Sequence, residues 1–438
     1  RCYGNDVIET PCLDWLAEEG TVFTKAYTPS PSCVPARASL ITGKKPWKTG
    51  VLGMGGNQLE MGVNFGITIP SYLSELNYLT VGIGKMHFYP QRSLNGFHQT
   101  ILDESGRIKD PDFTSDYKEW FDNNKPAEVG IIDHGIDWNG WGARPYHLPE
   151  YLHATNWTVN EGIKFLKKKD PSKPFFLKLS FARPHSPYDP PEFYFNMYAD
   201  KELPKPAIGE WVEECEQKVT ALDAWNRKLT DEELKRAKAG YYGSITHIDT
   251  QIGRFLFALK REKLLDDTLI IFTSDHGDML GDHNLLRKTY AFEGSAHIPM
   301  LVVLPKNMRN SIKNRKVNVP VQLQDIFPTI LDILGESIPE DLDGKSMFRL
   351  IKGEEIERKY IHGEHSTCYS ENHEMQYIVS EDYKYIWYPR REKNVEQLFD
   401  LKNDPYELKD LSKDDSNKSI IEKMRGYMAN ELSERGEE

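Results

Sequence analysis

The chain has 438 residues, 39% hydrophobic and 28% charged, a balance that suits a folded protein of two or three domains at roughly 100–200 residues per domain. It carries 55 Lys and Arg against 67 Asp and Glu, a formal charge of −12, which argues against a protein built to coat nucleic acid but leaves room for a local basic pocket. No run of about 20 apolar residues exists, so no membrane span is predicted; the five cysteines, Cys2, Cys12, Cys33, Cys215 and Cys368, match neither a disulfide framework nor a zinc cluster.

In chain order, Arg1 leads into loop, and Pro11 to Glu19 reads as a helix with Leu13, Leu16 and Ala17 on one face and Gly20 as its stop. Thr21 to Tyr27 is strand-like, and Val34 to Thr42 helical, ended by Gly43. "LTVGIG", Leu79 to Gly84, is a short buried strand. Tyr151 to Lys169 is a helix and Pro174 to Phe181 a strand. Asp231 to Leu265 is a long amphipathic helix with candidate breaks at Gly240 and Gly243. Thr268 to Thr273 and Met300 to Leu304 are apolar strands, and Leu323 to Leu334 a helix. This alternation predicts an α/β fold, a mostly parallel sheet sandwiched by helices. After about Lys352 short strands follow closely ("YIHGEH", "MQYIVS", "YKYIWY", "EQLFDL"), and a charged helix starts near Ser416. The predicted domains are 1–352 and a C-terminal antiparallel sheet plus helix, 353–438.

Five segments set reactive side chains beside predicted elements. In "PSCVPARASLITG", Pro31 to Gly43, Cys33 opens a helix, whose free N–H groups favour an anion or thiolate, and Arg37 lies one turn on. Alone, the two read as a buried thiol and a surface cation. In "GIGKMHF", Lys85 and His87 follow a strand, at the edge where open α/β sheets bind ligands; a surface Lys and a loop His fit as well. In "SFARPHSPYDPP", His185 sits in a Pro-stiffened loop, suited to an immobile catalytic group or to a structural turn. "TLIIFTSDHGDMLGDH" delivers Asp275 and His276 from a strand, as oxygen and nitrogen donors or as an ordinary turn. "LRKTYAFEGSAHIPMLV" sets Lys288 ahead of an apolar strand, where a lone Lys reads as solvated.

The ordered set is more specific than its parts. C-x-P-x-R with A-x-L-x-T-G, then G-K-x-H, P-H-x-P, S-D-H-G and a downstream Lys span nearly the whole chain and resemble the type I, formylglycine-dependent sulfatases, bacterial arylsulfatase-like members of the alkaline phosphatase superfamily. "EQLFDLKNDPYELKDL" resembles their closing hairpin and turn. The resemblance implies an alkaline phosphatase-like α/β sandwich with a small C-terminal α+β subdomain. It also implies oxidation of Cys33 to Cα-formylglycine by a maturation enzyme, and one Ca²⁺, or in some members Mg²⁺, on Asp275, His276 and position 33. Lys85 and Lys288 would bind sulfate, Arg37 would support the nucleophile, His87 would assist breakdown of the sulfated intermediate, and His185 would contact the leaving oxygen. A thiolate attacking sulfur would leave a product with no easy exit; a hydrated aldehyde attacks through one hydroxyl and expels sulfate as its C=O re-forms.

The expected function is hydrolysis of a sulfate ester, carried by a sulfated carbohydrate or an aryl alcohol. A phosphonate or phosphate monoester hydrolase on the same scaffold and a non-catalytic binder of sulfated glycans are the alternatives. Expected partners are that small-molecule or glycan ester and the formylglycine-generating enzyme, with no nucleic acid; bacterial cytoplasm and periplasm both stay open. The family opens with a strand ending in paired Asp residues that complete the metal shell. "RCYGND" matches the segment just downstream, so that strand is expected to lie outside this chain and metal to bind weakly. Asp278, Asp282 and His283 are read as structural or rim residues. Asp133 to His147 and His362 to His373, rich in His with Trp, Arg or Glu, are candidates for sugar recognition or for loop packing. Cys2, Cys12, Cys215 and Cys368 are expected to sit away from the site.

Overall fold

The computed structural model describes residues 1–54, 65–106, 110–126, 128–212, 224–313, 315–368 and 371–436. Thirteen strands are described: β1 Thr21–Phe23, β2 Ala26–Tyr27, β3 Leu79–Gly84, β4 Gln99–Leu102, β5 Phe175–Ser180, β6 Ile270–Thr273, β7 Met300–Val303, β8 Lys316–Val317, β9 Val321–Gln322, β10 Ile361–His365, β11 Met375–Val379, β12 Tyr383–Trp387 and β13 Glu396–Asp400. They order as β6-β7-β1-β8, β4-β3-β5, β2-β9 and β10-β11-β12-β13. The β4-β3-β5 sheet is parallel throughout, as are the β1–β8 and β2–β9 pairs, whereas β7 runs antiparallel to both β6 and β1. The segment read as one strand from Thr21 to Tyr27 is thus divided between two sheets.

Period-two alternation on β7 shows how the layers form. Met300 and Val302 face a core with Phe23, Val321, Phe327 and Leu331 under the helix Ile326–Leu334. Leu301 and Val303 face the opposite core with Leu13, Leu16, Leu256 and Leu259, from the helices Pro11–Glu19 and Asp231–Arg261. A strand buried on both sides reads as a continuous apolar run, which is what "MLVV" is.

The helix Asp231–Arg261 runs unbroken for 31 residues, opened by a capping box between Thr230 and Glu233. Gly240 and Gly243 are not breaks. A side-chain carbon on Gly240 would stand 2.7 Å from the Tyr188 carbonyl oxygen, and one on Gly243 would stand 2.8 Å from that of Tyr194. Their small size lets chain pack on the helix backbone. None of the described helices is long and apolar enough to cross a membrane.

The β10–β13 sheet is antiparallel, and its alternation also serves two faces. Tyr377 and Val379 pack with Tyr27 and Phe292 of the larger part, while Ile378, Tyr385 and Leu398 meet Ile421, Met424 and Met428 of the helix Lys418–Ser433. At the junction the buried Lys384 Nζ donates to the partly buried Glu293 at 2.6 Å and to the buried Glu407 at 2.8 Å. Burial works against ionisation of Glu407 and pushes it up to about 7, with Lys384 opposing. Breaking such a pair by removing one partner costs about 3–5 kcal/mol. The backbone joins as well: Glu364 N–H donates to the Pro29 carbonyl at 2.9 Å and Ser366 N–H to that of Leu52 at 2.8 Å.

Candidate active site

The helix carrying the nucleophile candidate spans Cys33–Thr42 and ends at Gly43 in the left-handed conformation (φ 69°). The side chain of its Ser32 cap makes no hydrogen bond to the helix's own backbone. Instead Ser32 Oγ meets His365 Nε2 of β10 at 2.8 Å. Cys33 stands at the first helical position, 1% exposed, where the dipole favours negative charge.

Arg37, one turn on, links three strand ends. Its guanidinium donates to Asp275 Oδ2 at 2.7 Å after β6, to Ser180 Oγ at 3.1 Å in β5, and to the Lys85 carbonyl after β3. Gly84 of β3 pairs in register with Ser180 of β5, and Lys85 N–H donates to the Ser180 carbonyl at 2.8 Å. Lys85 Nζ is thereby brought to 3.2 Å from Cys33 Sγ and 3.5 Å from Asp275 Oδ2. His276 Nδ1 donates to the Gly277 carbonyl at 2.7 Å, which directs Nε2 at Cys33 Sγ, 3.1 Å away. Gly277 is required by a close approach: a side-chain carbon there would stand 2.2 Å from the Gly294 carbonyl oxygen.

Burial alone would raise the Cys33 thiol, but Lys85 and His276 outweigh it and hold it well below the ordinary thiol range. Burial is likewise the largest influence on Asp275, and Arg37, Lys85 and His276 overcome it, keeping the carboxylate charged. The His87 ring also interacts with Cys33, and burial, its largest influence, lowers its pKa. His87 has φ 57°, and its N–H and that of Met86 donate to Glu104 Oε1 at 2.6 and 2.8 Å.

On the far side, His185 Nδ1 donates to the Ser186 carbonyl at 2.9 Å, leaving Nε2 to accept from Lys288 Nζ. The His185 and His276 rings are 6.2 Å apart. Burial brings Lys288 down to about 8, opposed by Cys33. The structure therefore brings Cys33, Arg37, Lys85, His87, His185, Asp275, His276 and Lys288 into one chain of contacts.

Other sequence candidates have structural partners. Asp282 accepts from Ala207 N–H at 3.0 Å and His283 Nδ1 from Gly209 N–H at 3.1 Å. In the Asp133–His147 stretch, His134 Nε2 lies 3.2 Å from Asp189, which Arg183 grips with two hydrogen bonds of 2.6 and 2.8 Å. That stretch braces the His185 loop. Of His362–His373, His365 holds the Ser32 hydroxyl at the start of the Cys33 helix and His373 packs edge-on to Trp225 at 4.4 Å. His373 and Trp225 line a cavity of about 1320 Å³ between the two parts, with Arg390 and Arg391; Thr289, next to Lys288, is on its wall.

Cys368 departs from expectation: its thiol feels Lys288, Arg287 and Cys33, with burial its largest influence. Cys215 lies outside the described residues. Lys178, in mid-β5, was not legible as a site residue. Among the described residues its buried Nζ has no hydrogen-bond partner, and burial followed by the charge of Arg37 lowers its pKa far below the usual lysine range.

Among the described residues, Cys33, Asp275 and His276 form the one group of donors placed to share a metal ion, their atoms all within 4.8 Å of one another. Asp275 Oδ2 is engaged by Arg37 and Lys85, and Oδ1 faces His276 Nε2 at 3.8 Å. One carboxylate and one imidazole fit a divalent cation in part; a Ca²⁺ shell takes about six to eight oxygens.

Comparison with known proteins places this architecture first in a class. With a TM-score of 0.78 and 24% identity it matches a phosphonate monoester hydrolase of Agrobacterium radiobacter, over 99% of this chain and 92% of that one. With 0.75 and 21% it matches a structure solved with its substrate D-glucosamine-2-N,6-O-disulfate, over 99% and 94%. These likenesses show the alkaline phosphatase-type fold. The sulfatase family model matches residues 1–336, and that of the N-sulphoglucosamine sulphohydrolase C-terminal region matches 281–434. An arylsulfatase of Clostridium perfringens is 45% identical, over 99% of this chain and 91% of its own. The chain belongs to the sulfatase family and is a sulfuric ester hydrolase.

Proposed function

We propose that the protein hydrolyses sulfate monoesters of an aryl or carbohydrate alcohol, with residue 33 as nucleophile after a maturation enzyme has oxidised Cys33 to formylglycine. The observation that carries this reading is the convergence of Lys85 Nζ and His276 Nε2 on Cys33 Sγ, at 3.2 and 3.1 Å, opposite the His185–Lys288 pair. The hydrated aldehyde supplies a hydroxyl that attacks sulfur and a second that lets the C=O re-form. Asp275 and His276, with the oxygen at position 33, would hold Ca²⁺ or Mg²⁺, which supplies Lewis acidity toward the nucleophile and the sulfuryl oxygens.

This chain's own residues do the rest. Arg37 fixes Asp275 and the ends of three strands. Lys85 and Lys288 neutralise charge on the sulfuryl oxygens in a site closed to water, where such cations act most strongly. His185 and Lys288 share a hydrogen bond and together deliver a proton to the departing alcohol oxygen. His87, kept neutral by burial, accepts the proton of the remaining hydroxyl as sulfate leaves.

The test is co-expression with a formylglycine-generating enzyme. Mass spectrometry of the peptide containing residue 33 should show sulfur lost and oxygen gained. The matured protein should cleave 4-nitrophenyl sulfate faster than the matching phosphate or phosphonate ester, and Cys33→Ala should lower turnover by about a thousandfold or more while still folding. Substantial activity in Cys33→Ala would overturn the nucleophile assignment, and a preference for phosphorus esters would overturn the substrate class.

A further inference from the structure

His185 and Lys288 are 103 residues apart, on two loops without regular secondary structure. The second loop is strained. Arg287 and Thr289, the neighbours of Lys288, have φ 71° and 81°, a left-handed conformation that non-glycine residues hold only where the surroundings impose it. Thr289 N–H is fixed on the Pro31 carbonyl at 2.8 Å. Arg287 is fixed by a carboxylate: Asp278 Oδ1 accepts from the N–H groups of Arg287 at 3.2 Å and Leu280 at 3.0 Å. The other oxygen of that carboxylate, Oδ2, accepts from the Tyr188 hydroxyl at 2.8 Å. Tyr188 is buried and lies three residues beyond His185. One oxygen of Asp278 therefore holds the Lys288 loop and the other holds the His185 loop.

We propose that Tyr188 and Asp278 are positioning residues for leaving-group protonation, their hydrogen bond setting where His185 Nε2 stands against Lys288 Nζ. This rests on the reading that those two groups protonate the departing alcohol. A loop left to shift by a fraction of an ångström would move a proton donor whose effect depends on geometry. The signature is specific. A poor leaving group needs the proton, and a good one such as 4-nitrophenolate departs largely without it. A misplaced donor therefore steepens the dependence of kcat/KM on leaving-group basicity, where a general loss of structure lowers all substrates alike.

Tyr188→Phe removes the hydroxyl and keeps the ring. In the matured protein, with rates normalised to the fraction of formylglycine read by mass spectrometry, its loss should be about tenfold greater with phenyl sulfate than with 4-nitrophenyl sulfate. His185→Ala, measured beside it, should steepen at least as much. Steepening in His185→Ala with a uniform loss, or none, in Tyr188→Phe would overturn the positioning role and leave the protonation reading standing. No steepening in His185→Ala would overturn both. Turnover of 4-nitrophenyl sulfate by Tyr188→Phe shows that the variant folds.

Discussion

Lys85 Nζ stands 3.2 Å from Cys33 Sγ, so the thiol shares its site with a buried cation. In protein left unmatured, a small alkylating reagent should modify Cys33 at a pH below the ordinary thiol range. Lys85 favours the thiolate, so Lys85→Met should move the midpoint of the rate–pH curve upward by about one unit or more. An unmoved midpoint would show that other groups, His276 and Lys288 among them, set the thiolate.

Lys288 gives the matured protein an alkaline limit. Burial brings this lysine down to about 8 while the Cys33 charge opposes the drop. Maturation removes that charge, so the limit should lie no higher than this. Above it Lys288 loses both its charge and its transferable proton, and kcat/KM should fall. Lys288→Ala should lower kcat/KM by about a hundredfold. Lys288→Arg, which stays charged, should carry the falling limb to higher pH at reduced rate. A limb that persists near pH 8 in Lys288→Arg would assign the titration to another group.

Acid should destabilise the fold before it touches most carboxylates. His247 and His362 are buried, and burial pushes both down to about 4. Between the ordinary histidine pKa of about 6.5 and that value, the unfolded chain binds protons that the folded one refuses, so stability falls as pH falls. Each contributes up to about 3 kcal/mol across that window. Urea midpoints should drop from pH 7 to pH 4.5, and less so in His247→Gln. Equal midpoints at the two pH values would contradict the burial argument.

Calorimetry with Ca²⁺ tests the metal donors. Asp275 is the single carboxylate in the one donor group found among the described residues, and the 438-residue chain is expected to bind Ca²⁺ weakly. Asp275→Asn should weaken it by a further factor of about ten or more, with no need for residue 33 to be matured. Tight, stoichiometric binding by the variant would show that other groups form the shell.

Strand ends were the legible part of the site. Lys85, Asp275 and His276 follow the ends of their apolar strands by one, two and three residues, so the sheet delivers them to one edge and the sequence already implies their company. What escaped sequence reasoning is contact from afar. Ser32 and His365 are 333 residues apart, and nothing local to either points to the other. Asp189 looks like one more turn residue in a proline-rich string, but its carboxylate anchors Arg183 and His134 in the interior. Lys178 has the alternating apolar neighbours of any strand residue. Gly240 and Gly243 suggested breaks because a missing side chain reads the same whether it loosens a helix or admits a neighbour.

The late arrival of His365 also orders events during synthesis. Cys33 leaves the ribosome early, while His365, which bonds the neighbouring Ser32 hydroxyl, follows 333 positions after Ser32, roughly 20 to 60 seconds at ordinary elongation rates. His276 and Lys288 come late as well. Until then the walls that leave Cys33 only 1% exposed cannot close, so an enzyme acting on this side chain would find it open in the nascent chain and shut in the folded molecule.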